Sequence, residues 1–72
     1  MPAEVEIGEN WATWVPGRRR WLLATVIRQD SGRASLRYDA RYEMAEGDDE
    51  HTFDEATLLN EPNLFRFVPA AG

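Results

Sequence analysis

Hydrophobic and polar residues alternate with a period of two over residues 33–38. Ala34, Leu36 and Tyr38 share one face of such a strand, and two arginines and a serine share the other. Because successive side chains of a strand point to opposite faces, the pattern predicts a half-buried strand whose apolar row faces inward. Tyr38 ends that row, so we expect its ring at the rim of the core.

Four other segments are rich in β-branched and aromatic residues, which is typical of strands. They are residues 11–15, 21–27, 50–53 and 64–68. Pro16-Gly17 and Asp30-Ser31-Gly32 are strong turn signals between the first three strands. After the fourth strand, Asp54 is expected to cap a short helical turn through Leu59, because its carboxylate can accept free N–H groups of the first turn.

Five short strands in a chain of 72 residues predict an all-β fold. We expect a small five-stranded barrel with one short helical turn before the last strand, since closing a small sheet hides its edges. The length allows one domain, residues 1–72, with 1–6 and 69–72 as loose termini. There is no cysteine, so stability must come from packing rather than disulfides. The residues expected in the core are Trp11, Ala24, Val26, Leu36, Leu58, Phe65 and Phe67.

The formal net charge is −5, which argues against a nucleic-acid partner because phosphate binding needs a basic field. The short basic run Arg18–Arg20 is outweighed by acidic residues elsewhere. No apolar run approaches the ~20 residues of a membrane-spanning helix. The first residues also lack the apolar segment of a signal peptide. We therefore expect a cytoplasmic protein with no membrane partner.

The residues that enzymes and metal sites need are scarce. His51 is the one histidine, and no feature marks Ser31 or Ser35 as a nucleophile activated by a nearby base. Asp48, Asp49 and Glu50 are adjacent but lack the alternating spacing of a calcium-binding loop. The sequence therefore predicts a non-catalytic protein with no cofactor and no metal site.

Aromatic residues at the predicted strand ends are the most informative candidates for a site. Rings beside a carboxylate form cages for cations, and a desolvated cation over such rings gains ~2 kcal/mol or more. The acidic stretch 43–50 would add negative potential. Core packing is the alternative role, and for Trp14, Trp21 and Phe53 it is as well supported as a place in a cage. The candidate ligand-binding residues are Trp14, Trp21, Tyr38, Asp39, Tyr42 and Phe53.

Four spaced segments of the chain form a further pattern: Ile7-Gly8 with Trp11, Trp21-Leu22-Leu23-Ala24-Thr25-Val26, Leu36-Arg37-Tyr38-Asp39, and Glu50-His51-Thr52-Phe53 with Leu58-Leu59 and Pro62. Together they resemble the corresponding segments of Tudor domains, and this resemblance implies that the five-stranded barrel is SH3-like. The similarity covers residues 7 to about 62 and is closest, at its end, to Tudor domains of chromatin-acetylation complexes.

The resemblance implies that a methylated lysine or arginine side chain is recognised in a cage at the barrel rim. Tyr38 and Phe53 would be walls, Trp14 or Trp21 a third wall and Tyr42 a fourth, while Asp39 would supply negative charge. In the commonest cage of this family, the cage residues of the first and second strands correspond to Val15 and Leu22 of this sequence, not to Trp14 and Trp21. The spacing of the two tyrosines is also one residue longer than usual. A cage formed here would therefore be a remodelled one.

The function predicted from these observations is a protein-interaction module that binds a peptide or a cationic side chain. The first alternative is a homo-oligomeric structural barrel, because residues 21–27 are apolar on both faces. Trp21, Leu23 and Ile27 would then be exposed unless covered, and such a patch usually marks an interface. A small oligomeric enzyme and a nucleic-acid-binding barrel that uses Arg18–Arg20 are the remaining alternatives.

Overall fold

Five strands and one short helix make up the computed structural model, which describes residues 4–39 and 50–69. The elements are β1 (Asn10–Val15), β2 (Arg20–Asp30), β3 (Arg33–Tyr38), β4 (Glu50–Asp54), α1 (Glu55–Asn60) and β5 (Phe65–Val68). The strands form one antiparallel sheet in the order β4-β3-β2-β1-β5. This confirms the mostly-β fold with a helical turn before the last strand. Within the described residues, no backbone ladder joins the edge strands β4 and β5.

Both predicted turns form and connect neighbouring strands. Ser31 and Gly32 join β2 to β3 with φ angles of 51° and 78°. Positive φ at both central residues gives the two-residue turn whose twist matches that of the flanking strands. Between β1 and β2, the N–H of Arg19 donates to the carbonyl of Val15 at 2.8 Å, and Arg19 itself has a φ of 53°.

Strand β2 is long enough to pair with both neighbours in succession. Residues 20–25 pair with β1, and residues 24–30 pair with β3. The register with β3 shifts between Val26 and Arg28, which leaves Ile27 as an extra residue. A bulge of this kind bends a strand and increases its twist. The sheet is therefore bent in the middle of its longest strand.

One face of the sheet carries the core, and its composition follows the predicted alternation. Ala24, Val26, Leu36 and Leu58 are each at most 1% exposed, as predicted. Phe67 is only half-buried and packs against the core, its ring 5.6 Å from that of Trp11. The buried apolar residues are Val5, Trp11, Leu22, Ala24, Val26, Ala34, Leu36, Tyr38, Leu58 and Phe65.

Val5 departs from the expectation of a loose terminus at residues 1–6. Its side chain is fully buried in the core. Its carbonyl accepts a hydrogen bond of 2.6 Å from Nε2 of Gln29, which also donates to Glu55. The alternation in Val5-Glu6-Ile7 ends at Gly8 and is too short to predict a strand, so the burial of Val5 could not be read from the local sequence.

Helix α1 begins after Asp54, as predicted, but the expected capping hydrogen bond is absent. The Asp54 side chain makes no bond to the first turn. Its carboxylate instead accepts from Nε of Arg33 at 3.3 Å across the β3–β4 pair. The helix is held by the burial of Leu58, and it packs against both β4 and β5.

Candidate functional site

A groove of about 330 Å³ lies at one end of the sheet, and we call it the rim groove. Part of its lining comes from the end of β1 and the start of β5, and part comes from β3 and β4. The first group is Thr13, Trp14, Val15, Pro16, Leu64 and Phe65; the second is Tyr38, His51 and Phe53. The groove is therefore bordered by both edge strands of the open sheet.

Four rings in contact run along the groove from β3 to β5. The centroids of Tyr38 and His51 lie 5.5 Å apart, with the ring planes at 65°. His51 stacks on Phe53 at 6.2 Å and 22°, and Phe53 meets Phe65 edge-on at 4.9 Å. The strand pattern explains the series, because His51 and Phe53 are two residues apart and so lie on the same face of β4. The result is a continuous aromatic lining.

One polar side chain lies in this apolar lining. Thr13 is 3% exposed, and within the described residues its buried hydroxyl has no hydrogen-bond partner. Its cross-strand neighbours are Leu22 on β2 and Phe65 on β5, both of them buried. The indole N–H of Trp11 is also buried without a partner, but Trp11 does not line the groove.

The structure brings three of the six predicted site residues to the rim groove. Tyr38 and Phe53 contribute their rings to the aromatic series, and Trp14 lies at the β1 side. Asp39 follows Tyr38, and its backbone N–H donates to the carbonyl of Leu23 at 2.9 Å. Tyr42 lies outside the described residues, as does most of the acidic stretch 43–50.

Trp21 does not line the rim groove. It alternates with the buried Leu22 and so lies on the outer face of the sheet, where its ring is 5.6 Å from that of Trp14. The guanidinium carbon of Arg66 lies 4.5 Å from the centroid of the Trp21 ring. The face of the Trp21 ring is therefore already covered by a cationic side chain of the same molecule.

Several lining residues were not predicted as site residues. His51 is the clearest, because it was not among the candidate site residues and the structure places it between Tyr38 and Phe53. Its spacing of two residues from Phe53 could have indicated this, because residues two apart in a strand lie on the same face. Val15 lines the groove at the position that the Tudor resemblance gives for the first-strand cage residue, whereas Leu22, at the second-strand position, is fully buried.

Ion pairs join β2 and β3 to β4 on the outer face. Glu50 forms ion pairs with Arg28 and with Arg37, the latter at 3.7 Å. Exposed pairs of this kind are worth about 0–1 kcal/mol each. Among the described residues that line the rim groove, none is an acid, a lysine or an arginine. Any preference for a charged ligand must therefore come from the rings, from polar groups and from the field of the whole chain.

No family model matches the chain, and comparisons with curated proteins and with solved structures give no match. The resemblance to Tudor domains consequently rests on the residue pattern alone. Within residues 4–39 and 50–69, no helix is long and apolar enough to cross a membrane. The same residues contain no group of three acids or histidines placed to hold a metal ion.

Proposed function

We propose that the chain is a non-catalytic protein-interaction module whose rim groove holds a cationic side chain of a partner peptide. The observation that carries this proposal is the series of four rings in contact, from Tyr38 to Phe65, in one groove. The faces of aromatic rings attract cations, with a gain of ~2 kcal/mol or more when the cation is desolvated. Methylated ammonium and guanidinium groups are the weakly hydrated cations of proteins.

The charge of the chain supports a cation over an anion. The formal net charge is −5, and no lysine or arginine lies among the described lining residues. A negative field raises the local concentration of cationic ligands and speeds their association. The same field would repel an anion, and the described lining contains no lysine or arginine to offset that repulsion.

The size of the groove supports a single side chain as the occupant. Its volume of about 330 Å³ is at the lower end of the roughly 300–1,000 Å³ of small-molecule sites. Leu64, at the edge of the groove, is 39% exposed, so it can contact the rest of a bound peptide. One methylated lysine or arginine side chain in the groove, with its peptide across Leu64, is the arrangement we propose.

We also propose that the sheet curls into an SH3-like barrel of the Tudor type. Three observations support this curvature. Phe53 on β4 contacts Phe65 on β5, α1 packs against both edge strands, and the bulge at Ile27 bends β2. Each of them brings the two edges of the sheet toward one another, which gives the rim groove its two sides.

Assembly with a second copy is the second candidate function, and the outer face favours it. Trp14 pairs with Trp21 and Ala12 pairs with Leu23 across β1 and β2, which forms an apolar outer patch of four half-buried residues. Contiguous apolar surface of this kind is typical of interfaces. Trp14 belongs to both the outer patch and the rim groove, so a second copy on the patch would adjoin the groove at this residue.

NMR titration of the full chain tests the proposed ligand class. The probes are three peptides that differ at one position, which carries arginine, trimethyl-lysine or glutamate. We expect the two cationic peptides to shift the resonances of Tyr38, His51 and Phe53, and the glutamate peptide to leave them unchanged. Tyr38→Leu should weaken binding, whereas the matched control Trp21→Leu removes a ring outside the groove and should not. Absence of shifts at millimolar cationic peptide contradicts the proposal.

A further inference from the structure

The buried hydroxyl of Thr13 is unusual for its position. Thr13 is on the inner face of β1, and its neighbours across the sheet are Leu22 and Phe65. Within the described residues the hydroxyl oxygen has no partner, although nearly all buried polar groups in proteins have one. A valine would have the same shape without the unfavourable burial of an unpaired hydroxyl. The groove that Thr13 lines is where a partner for it could come from.

The Thr13 side chain can present its oxygen to a ligand without movement of the backbone. Threonine occupies discrete staggered rotamers, and a rotation of about 120° about its Cα–Cβ bond can move the hydroxyl into the place that the methyl group held, while the methyl group takes the place of the hydrogen. Since Thr13 forms part of the groove surface, either group can face the occupant. A ligand that donates a hydrogen bond would favour the rotamer that turns the oxygen toward it.

Cations of similar charge differ in whether they can donate that hydrogen bond. A guanidinium has five N–H donors, whereas a trimethylated ammonium has no N–H. The guanidinium is also planar and stacks on aromatic faces. Aromatic rings alone would bind either cation. Rings together with an oxygen that lacks a hydrogen-bond partner favour the guanidinium, because only the guanidinium can donate a hydrogen bond to that oxygen.

The same molecule already holds one guanidinium in this way. Arg66 lies over the ring of Trp21 at 4.5 Å, and its Nε donates to the carbonyl of Pro62 at 3.0 Å. The ring face and one oxygen acceptor together orient that group. The rim groove offers the same two elements, with Tyr38 and Phe53 as rings and the Thr13 hydroxyl as acceptor.

We infer that the rim groove selects an arginine side chain over trimethyl-lysine, and that Thr13 determines this selectivity. The inference rests on the proposed function, because it assumes that a cationic side chain enters the groove. It adds the ligand class and the residue that recognises it. A hydrogen bond to a charged group changes affinity by about tenfold or more, which sets the size of the expected preference.

Binding of the arginine and trimethyl-lysine peptides to three forms of the full chain tests the inference. The wild type should bind the arginine peptide at least about tenfold more tightly. Thr13→Val should lose about tenfold in affinity for the arginine peptide and retain its affinity for trimethyl-lysine. Thr13→Ser keeps the hydroxyl and should keep the preference. The melting temperature of Thr13→Val should equal or exceed that of the wild type, because an unpaired buried hydroxyl is removed.

The outcomes separate this inference from the proposed function. Equal affinity of wild type and Thr13→Val for the arginine peptide overturns the role of Thr13. Tighter binding of trimethyl-lysine by the wild type overturns the selectivity for arginine but supports a cation-binding groove. Absence of binding of both peptides at millimolar concentration overturns the proposed function and the inference with it.

Discussion

The ring of Phe53 lies edge-on against the ring of Phe65, with centroids 4.9 Å apart and planes at 65°. Phe53 belongs to β4 and Phe65 to β5, the two edge strands of the sheet. No described backbone ladder joins these strands, so this ring pair and helix α1 are the described contacts that connect them. Both rings also line the rim groove. The contact between the two edge strands and the shape of the groove therefore depend on the same pair.

A double-mutant cycle on this ring pair should show coupling. Edge-on aromatic pairs contribute about 0.5–1.5 kcal/mol beyond the area that they bury. Phe53→Leu and Phe65→Leu, measured singly and together by urea denaturation, should therefore deviate from additivity by about that amount. As a control, Phe53→Leu combined with Trp21→Leu should be additive within about 0.5 kcal/mol, because these residues lie on opposite faces. Additivity of both pairs would show that the rings do not hold the edge strands together.

Much of the fold could be predicted from the sequence because it depends on local patterns. The alternation of Ala34, Leu36 and Tyr38 determines which face of β3 is buried, and the structure confirms it. The turn at Ser31 and Gly32 was predictable for a similar reason, since a two-residue turn between strands needs residues that accept positive φ. Both signals depend on neighbours in the chain and not on distant contacts.

The candidate site was less predictable because it depends on pairing between distant residues. His51 meets Tyr38 only through the register of β3 and β4, which no local pattern determines. Trp21 was a candidate because it lies near the turn between β1 and β2. The alternation of β2 nevertheless places its ring outside the groove, against the guanidinium of Arg66. Asp54 was expected to bond to the helix that it precedes, but Arg33 on the neighbouring strand is its partner. In each case a contact across the sheet outweighs the local preference.

The turn glycine Gly32 should tolerate alanine less well than Gly17 does. A Cβ at either position would meet no atom within 4 Å, so steric space does not distinguish them. Gly32, however, has a φ of 78°, and that left-handed conformation costs a residue with a Cβ roughly 1–2 kcal/mol. Gly32→Ala should lower the free energy of unfolding by about this amount. Gly17→Ala, measured in the same thermal or urea titration, should change it by less than about 0.5 kcal/mol. Equal losses would contradict the turn geometry.

Assembly through the outer patch makes a separate prediction about mass in solution. A monomer has a mass of 8.3 kDa, and a second copy on the patch would double it in sedimentation equilibrium at high concentration. Leu23→Asp introduces a charge on the patch and should restore the monomer, since a buried unpaired charge strongly opposes association. Ile7→Asp is the matched control, because Ile7 is 63% exposed and lies outside the patch. A wild-type monomer at every concentration tested rules out this assembly and leaves the rim groove as the remaining candidate interface.

Binding of the arginine peptide should weaken as salt is added. The net charge of −5 attracts the cation over long distance, and the Debye length falls from ~10 Å at 0.1 M salt to ~3 Å at 1 M. Screening should slow association more than it speeds dissociation, because attraction between rings and guanidinium acts at contact distance and is screened less. Stopped-flow kinetics at several salt concentrations measures both rates. The same measurement on Glu50→Gln, a variant outside the groove that removes one negative charge, should show slower association at low salt and the same rate as wild type at high salt. An association rate that does not change with salt would mean that long-range attraction by the net negative charge does not contribute to binding.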